Sequence, residues 1–267
     1  MKSVKNRPIG IFDSGIGGLT VVKNVRKQLP EEDIVYFGDT ARVPYGNKSR
    51  ATIIRFAHEI MSFMVEQKVK MVVVACNTAS SFSLPSLKKT YPITVVGVIN
   101  AGIKQAVDVT KNGRIGVIGT NSTISSGAYD KSLAKITTKC KLISKSCPLF
   151  VPLVENKLIS DRITRQIAGR YLVPLTKKRV DTLILGCTHY PILKNTISKV
   201  MKGVKLIDSS SAVAKDVKNR LKDMSLETSR KRRKGKTKYY VSDDIKGFGA
   251  IASIFLGEKV TAKKVIL

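Results

Sequence analysis

The chain has 267 residues, 43% hydrophobic and 25% charged, which excludes a disordered chain and supplies a core for one large α/β unit or two smaller lobes. Its 48 Lys and Arg against 19 Asp and Glu give a formal net charge of +29. That charge admits a nucleic-acid binder, but only 6% of residues are aromatic, Trp is absent, and no basic stripe is interleaved with rings that could stack bases.

In chain order, short apolar runs alternate with helical patterns. Ile9–Phe12, Ile34–Phe37, Met71–Ala75, Thr94–Val98, Ile115–Ile118, Thr182–Leu185 and Val204–Ile207 are mainly apolar rather than alternating, which predicts strands buried on both faces of parallel or mostly parallel sheets. A helix is predicted over 48–66, with Ile53, Ala57, Ile60, Met61 and Met64 on one face. Cys140–Glu155, broken by Pro148 and Pro152, reads as an irregular strand and loop. Tyr239–Ser242 reads as a strand and Phe248–Phe255 as a helix, packing back on the first lobe. The one dense basic run, 230–236, reads as a solvated loop.

The four cysteines form no C-x-x-C pair, so a disulfide framework, structural zinc and thioredoxin-like chemistry all lack their signature. The apolar stretch behind Lys2, Lys5 and Arg7 is too short for a signal-peptide core, and no run approaches the ~20 apolar residues of a membrane span. A soluble, cytoplasmic protein without membrane partners is expected.

An internal repeat organises these pieces. Ile9-Gly10-Ile11-Phe12-Asp13-Ser14-Gly15 resembles Ile115-Gly116-Val117-Ile118-Gly119-Thr120-Asn121, and Val72–Thr78 resembles Leu183–His189, at closely similar offsets. Two pseudo-symmetric α/β domains with mostly parallel sheets follow, 1–99 plus 208–267 and 100–207. Each has a strand ending in Cys, at Cys76 and Cys187. Ligands bind outside the carboxyl ends of parallel strands, so the two thiols are expected to face one small substrate from opposite sides, each thiolate favoured by a following helix N-terminus. Cys140, flanked by lysines, and Cys147, before Pro148, lack this setting.

A nucleophilic hydrolase needs one Cys with one His; a second, symmetry-related Cys is superfluous there. Symmetric proton removal and delivery needs both. One thiolate takes a proton from a tetrahedral carbon and the opposing thiol returns one to the other face, giving the mirror image. No dinucleotide fingerprint or lysine setting for a pyridoxal Schiff base is visible, so no cofactor is expected, and hydrogen bonds must stabilise the carbanion-like state. Ser14, Gly15, Asn77, Thr78, Thr188 and His189 are the candidate donors. Asp13-Ser14-Gly15-Ile16-Gly17-Gly18 matches neither phosphate-loop pattern; its glycines permit a tight turn, and Asp13 is either a cap, an ammonium partner or an aid to Cys76. His58 reads as a helix-surface residue, His189 as the acid–base candidate. Pro44-Tyr45-Gly46 is a turn by composition.

These motifs, with Ala75–Ala79, Val151–Glu155 and Gly186–Pro191, give the whole chain a resemblance to the glutamate racemases. The resemblance implies the two-domain fold with its active site at the domain interface, and a cofactor-independent enzyme supplying D-glutamate for peptidoglycan, hence cell-wall biogenesis and cell shape. It implies that Cys76 deprotonates D-glutamate with Asp13 assisting, and Cys187 deprotonates L-glutamate with His189 assisting and Glu155 nearby. Asp13, Ser14, Pro44, Tyr45, Gly46, Asn77, Thr78, Thr188 and His189 would bind substrate. No metal site and a homodimer are expected. An aspartate or other acidic amino-acid racemase stays open, as does a secondary contact with DNA or gyrase.

Overall fold

A computed structural model describes residues 3–230 and 233–267, so Lys231 and Arg232 of the basic run lie outside the described residues. The elements alternate: β1 (Ile9–Asp13), α1 (Leu19–Gln28), β2 (Ile34–Gly38), α2 (Arg50–Glu66), β3 (Met71–Val74), α3 (Asn77–Thr90), β4 (Thr94–Gly97), α4 (Val98–Val109) and β5 (Arg114–Gly119). Then follow α5 (Asn121–Ser125), α6 (Ala128–Ala134), β6 (Lys141–Ser146), α7 (Phe150–Glu155), α8 (Arg162–Lys177), β7 (Thr182–Gly186), α9 (Lys194–Val200) and β8 (Lys205–Asp208). The chain finishes with α10 (Ser209–Asp223), β9 (Thr237–Val241), α11 (Ile245–Leu256) and β10 (Ala262–Lys264).

Two sheets result, ordered β10-β9-β2-β1-β3-β4 and β6-β5-β7-β8, and every recorded pairing in both is parallel. The order β2-β1-β3-β4 and the order β6-β5-β7-β8 are the same arrangement. The repeat lies on corresponding strands: β1 pairs β3 with Ile11 beside Val73, and β5 pairs β7 with Val117 beside Ile184. β9 and β10 extend the first sheet beyond β2, as the C-terminal pattern predicts.

The predicted runs are buried on both faces except Val204–Ile207, the edge strand β8, where Lys205 is exposed and Val204 and Leu206 are half-buried. Ile9, Ile11 and Val73 pack with α1, α10 and α11, while Phe12, Val72 and Val74 pack with α2 and α3. Each such side chain contributes about 1.5–3 kcal/mol when fully removed from water. Ser49 caps α2, its hydroxyl accepting the Thr52 N–H at 3.2 Å. Among the described residues, no helix is long and apolar enough to cross a membrane.

Three sequence expectations are corrected. The second half of Cys140–Glu155 is helix α7 rather than loop, because Pro148 precedes the helix and Pro152 falls in its first turn, where no intrahelical N–H is needed. His58 is half-buried rather than a surface residue: α3 packs on α2, bringing Ser86 Oγ 2.7 Å from His58 Nε2. The basic run is not wholly solvated, since Arg230 and Arg233 are half-buried against Asp33 at 2.8 and 2.5 Å.

At the amino-terminal edge of the first sheet, Lys70 is buried with all three ammonium donors used. It donates to Glu32 Oε2 at 2.6 Å, Lys5 O at 2.7 Å and Leu226 O at 2.8 Å, while Glu32 Oε1 accepts the Thr228 N–H at 2.8 Å. Removing one partner strands a buried charge. Lys70→Met is expected to lose about 3 kcal/mol of unfolding free energy in urea titrations. Glu32→Leu/Lys70→Met should recover much of that loss, because no uncompensated charge remains.

Candidate active site

The loops after β1, β3, β5 and β7 meet around one cavity of about 110 Å³. Cys76 and Cys187 both line it, with Ser14, Pro44, Tyr45, Gly46, Asn77, Thr78, Glu155, Thr188 and His189. Asp13 stands behind this wall, fully buried, and is not among the lining residues.

Cys76 follows β3 and caps α3, its Sγ accepting the Ala79 N–H at 3.5 Å. The helix start acts in the expected direction, its Ala79 N–H favouring the thiolate, but it is outweighed. Burial and then the neighbouring Asp13 push the thiol up to about 12, outweighing the Ser14 hydroxyl and the Ala79 N–H that act the other way. A cysteine only 5% exposed gains too little from one backbone dipole to offset lost hydration.

Asp13 is itself raised above the ordinary carboxylate range, by burial, against the opposing pull of His189, the Gly15 and Gly18 N–H groups and Thr188. Gly15 N–H donates to Oδ2 at 3.0 Å, and the Thr188 hydroxyl reaches Oδ1 at 3.3 Å from the other sheet. Gly17 and Gly18 have negative-φ backbones; the turn does not need glycine for its conformation. Close approach needs it: a Cβ on Gly17 would lie 2.2 Å from Thr188 Oγ1 and 2.7 Å from His189 Nδ1, and one on Gly18 2.5 Å from Asp13 Cβ.

Cys187 follows β7, and His189 is held between it and α7. His189 Nδ1 lies 3.9 Å from Cys187 Sγ, and Nε2 lies 3.3 Å from Glu155 Oε1. Burial alone would strip the imidazole of its proton. The hydrogen bonds and charges of Cys187 and Glu155 outweigh burial and raise His189 to about 10, so it is an imidazolium at neutral pH.

The remaining wall is tied by cross-links. Tyr45 is buried, with its hydroxyl held by the buried Asp39, which also accepts Arg42 Nε at 2.7 Å and Ser242 Oγ at 2.8 Å. Asn77 Nδ2 donates to Tyr129 Oη at 2.8 Å, and Thr78 Oγ1 lies 3.0 Å from Thr120 Oγ1 and 2.9 Å from Thr123 Oγ1. Ser122 Oγ donates to the Gly46 carbonyl at 2.6 Å.

Thr120 and Asn121 also line the cavity and were absent from the expected set. The repeat carried the signal, since it aligns them with Ser14 and Gly15. Asp39 and Arg42, which hold Tyr45, had no sequence signal. Cys147 is buried and outside the cavity wall, and Cys140 is half-buried.

A family model described as Asp/Glu/Hydantoin racemase matches residues 10–217. The chain belongs to that family. A relative named glutamate racemase from Geobacter metallireducens is 48% identical over 257 residues, covering 95% of this chain and 94% of the relative. A crystal structure of a glutamate racemase isoform from Bacillus anthracis matches with a TM-score of 0.95 at 39% identity, covering 98% of each chain. Another, from Francisella tularensis in complex with D-glutamate, matches at 0.91 and 40% identity, again over 98% of each. The fold of the family is therefore the fold of this chain, two α/β sets with parallel sheets.

The raised Cys76 thiol has a direct consequence. In ligand-free protein, alkylation of Cys76 by iodoacetamide, followed by peptide mass spectrometry, is expected to accelerate about tenfold per pH unit up to at least about pH 10. A plateau near pH 9 would show an ordinary thiol instead.

Proposed function

We propose that this chain is a cofactor-independent glutamate racemase, with Cys76 and Cys187 as the two bases. The observation that carries this reading is the placement of both thiols on one small cavity, in unlike electrostatic settings. Relatives named glutamate racemase over nearly the whole chain support the substrate.

With L-glutamate, Cys187 removes the α-proton and Cys76 protonates the opposite face. The surroundings support this division. Cys76 keeps its proton well past neutral pH and so carries the proton to be delivered, whereas Cys187 stands beside the His189 imidazolium, a positive charge placed where a thiolate would form. With D-glutamate the roles reverse, and Asp13, behind the wall on the Cys76 side, assists that thiol. Ser14, Pro44, Tyr45, Gly46, Asn77, Thr78, Thr188 and His189 hold the carboxylates and ammonium group; Asp13 acts on them through Thr188 rather than from the cavity surface. Donors already aimed at the substrate stabilise the carbanion-like state without reorganisation. The catalytic units are 1–99 with 208–267, and 100–207. The enzyme works in the cytoplasm as a homodimer and supplies D-glutamate for peptidoglycan.

The test is incubation with either enantiomer of glutamate in heavy water, no cofactor added, with aspartate run in parallel. Racemisation with α-deuteration of glutamate is expected, and Cys76→Ala/Cys187→Ala should abolish both. Normal turnover by that double variant, or a requirement for pyridoxal phosphate, would overturn the two-thiol reading; faster turnover of aspartate would overturn the substrate.

The pH dependence is fixed in sign. L- and D-glutamate are equally stable, so kcat/KM must follow the same profile in both directions. Loss of the His189 proton should give a falling limb near pH 10. Glu155→Gln removes one of the partners that raise His189, so the limb should move to lower pH, read from initial rates by circular dichroism. Gly17→Ala, which forces Thr188 and His189 to move, should lower kcat about a hundredfold while the far-UV spectrum is unchanged.

A further inference from the structure

A second cavity, of about 680 Å³, opens at the amino-terminal edge of the first sheet, the edge away from the thiols. Its wall carries Arg7, Lys68, Arg230, Arg233, Lys236 and Lys238, with Asp33 as its one carboxylate. Six cations to one anion is well beyond the chain's own ratio of 48 to 19. Asp33 is already saturated: it holds Arg230 Nη1 at 2.8 Å, Arg233 Nη2 at 2.5 Å and the Lys236 N–H at 2.8 Å. Those contacts fix two guanidinium groups in the wall and leave Arg233 Nε buried without a partner. Among the described residues, Arg7, Lys68 and Lys238 are in no ion pair.

We propose that this cavity binds a small anion carrying several phosphate groups. Uncommitted cations stand on three separate elements: the segment before β1, the end of α2, and β9. An anion with charges spaced along a short chain can meet all three at once, which a single phosphate cannot. The two guanidinium groups are already ordered, by Asp33 and, for Arg230 Nη2, by the Asn6 carbonyl at 2.9 Å, so little side-chain freedom is lost when an anion meets their remaining N–H groups. The cavity volume falls in the range of small-ligand sites, about 300–1,000 Å³. A nucleic-acid strand is the poorer fit, because the cations line a concavity rather than a track and no aromatic side chain is present to stack a base.

Inorganic tripolyphosphate, titrated calorimetrically at about 0.15 M salt, is the probe. One-to-one binding is expected. Arg7→Gln/Lys68→Gln/Lys238→Gln should weaken it about tenfold or more, as loss of charged hydrogen bonds does. Lys199→Gln/Lys202→Gln/Lys205→Gln removes the same charge from exposed positions on the other sheet's side and should leave affinity intact. Racemisation should be unchanged in both triple variants. Absence of binding, equal weakening by both variants, or a short DNA duplex that binds more tightly than tripolyphosphate and loses affinity in the first variant would each overturn the proposal.

Discussion

Parallel pairing obliges every strand in a sheet to finish at the same edge as its neighbours. In this molecule the constraint operates twice, in two sheets with the shared order β2-β1-β3-β4 and β6-β5-β7-β8, and the loops after β1, β3, β5 and β7 crowd into one seam. Everything chemical about the cavity rests on how closely those loops approach. Gly17 has no side chain because Thr188 and His189 occupy the place where one would be. Thr78 meets Thr120 and Thr123 across the same seam, and Thr188 meets Asp13.

Corresponding positions do not mean matching surroundings. Cys76 lies among burial, Asp13 and a single helix N–H, and it holds its proton tightly. Cys187 has an imidazolium at its side, kept charged by Glu155 on α7. The two thiols therefore occupy equivalent ends of equivalent strands but have different neighbours. The backbone supplies the symmetry and a few side chains remove it.

The backbone part was legible in the sequence. Mainly apolar runs marked strands covered on both faces, and the repeat put Cys76 and Cys187 at equivalent ends of equivalent strands. The side-chain part was less so. The direction of the Cys76 shift depends on the depth of burial and on Asp13 lying nearby, neither of which a local motif encodes. The Asp39–Arg42–Tyr45 cluster is assembled partly by Ser242 from β9's end, some two hundred residues away. Helix α7 was hidden because Pro152 reads as a breaker unless its place in the first turn is known. Thr120 was within reach, since the repeat had aligned it with Ser14.

The added strands β9 and β10 move the first sheet's outer edge from β2 to β10, while the second sheet still ends at β6 and β8. An exposed edge strand is an open template for another chain, and lysine is one of the residues that blunt it. Lys263 and Lys264 sit on β10, Lys141 and Lys145 on β6, and Lys205 on β8. Three of the four sheet edges are thus guarded by ammonium groups. Part of the surplus positive charge stands where it opposes edge-to-edge strand pairing, a placement unrelated to any ligand.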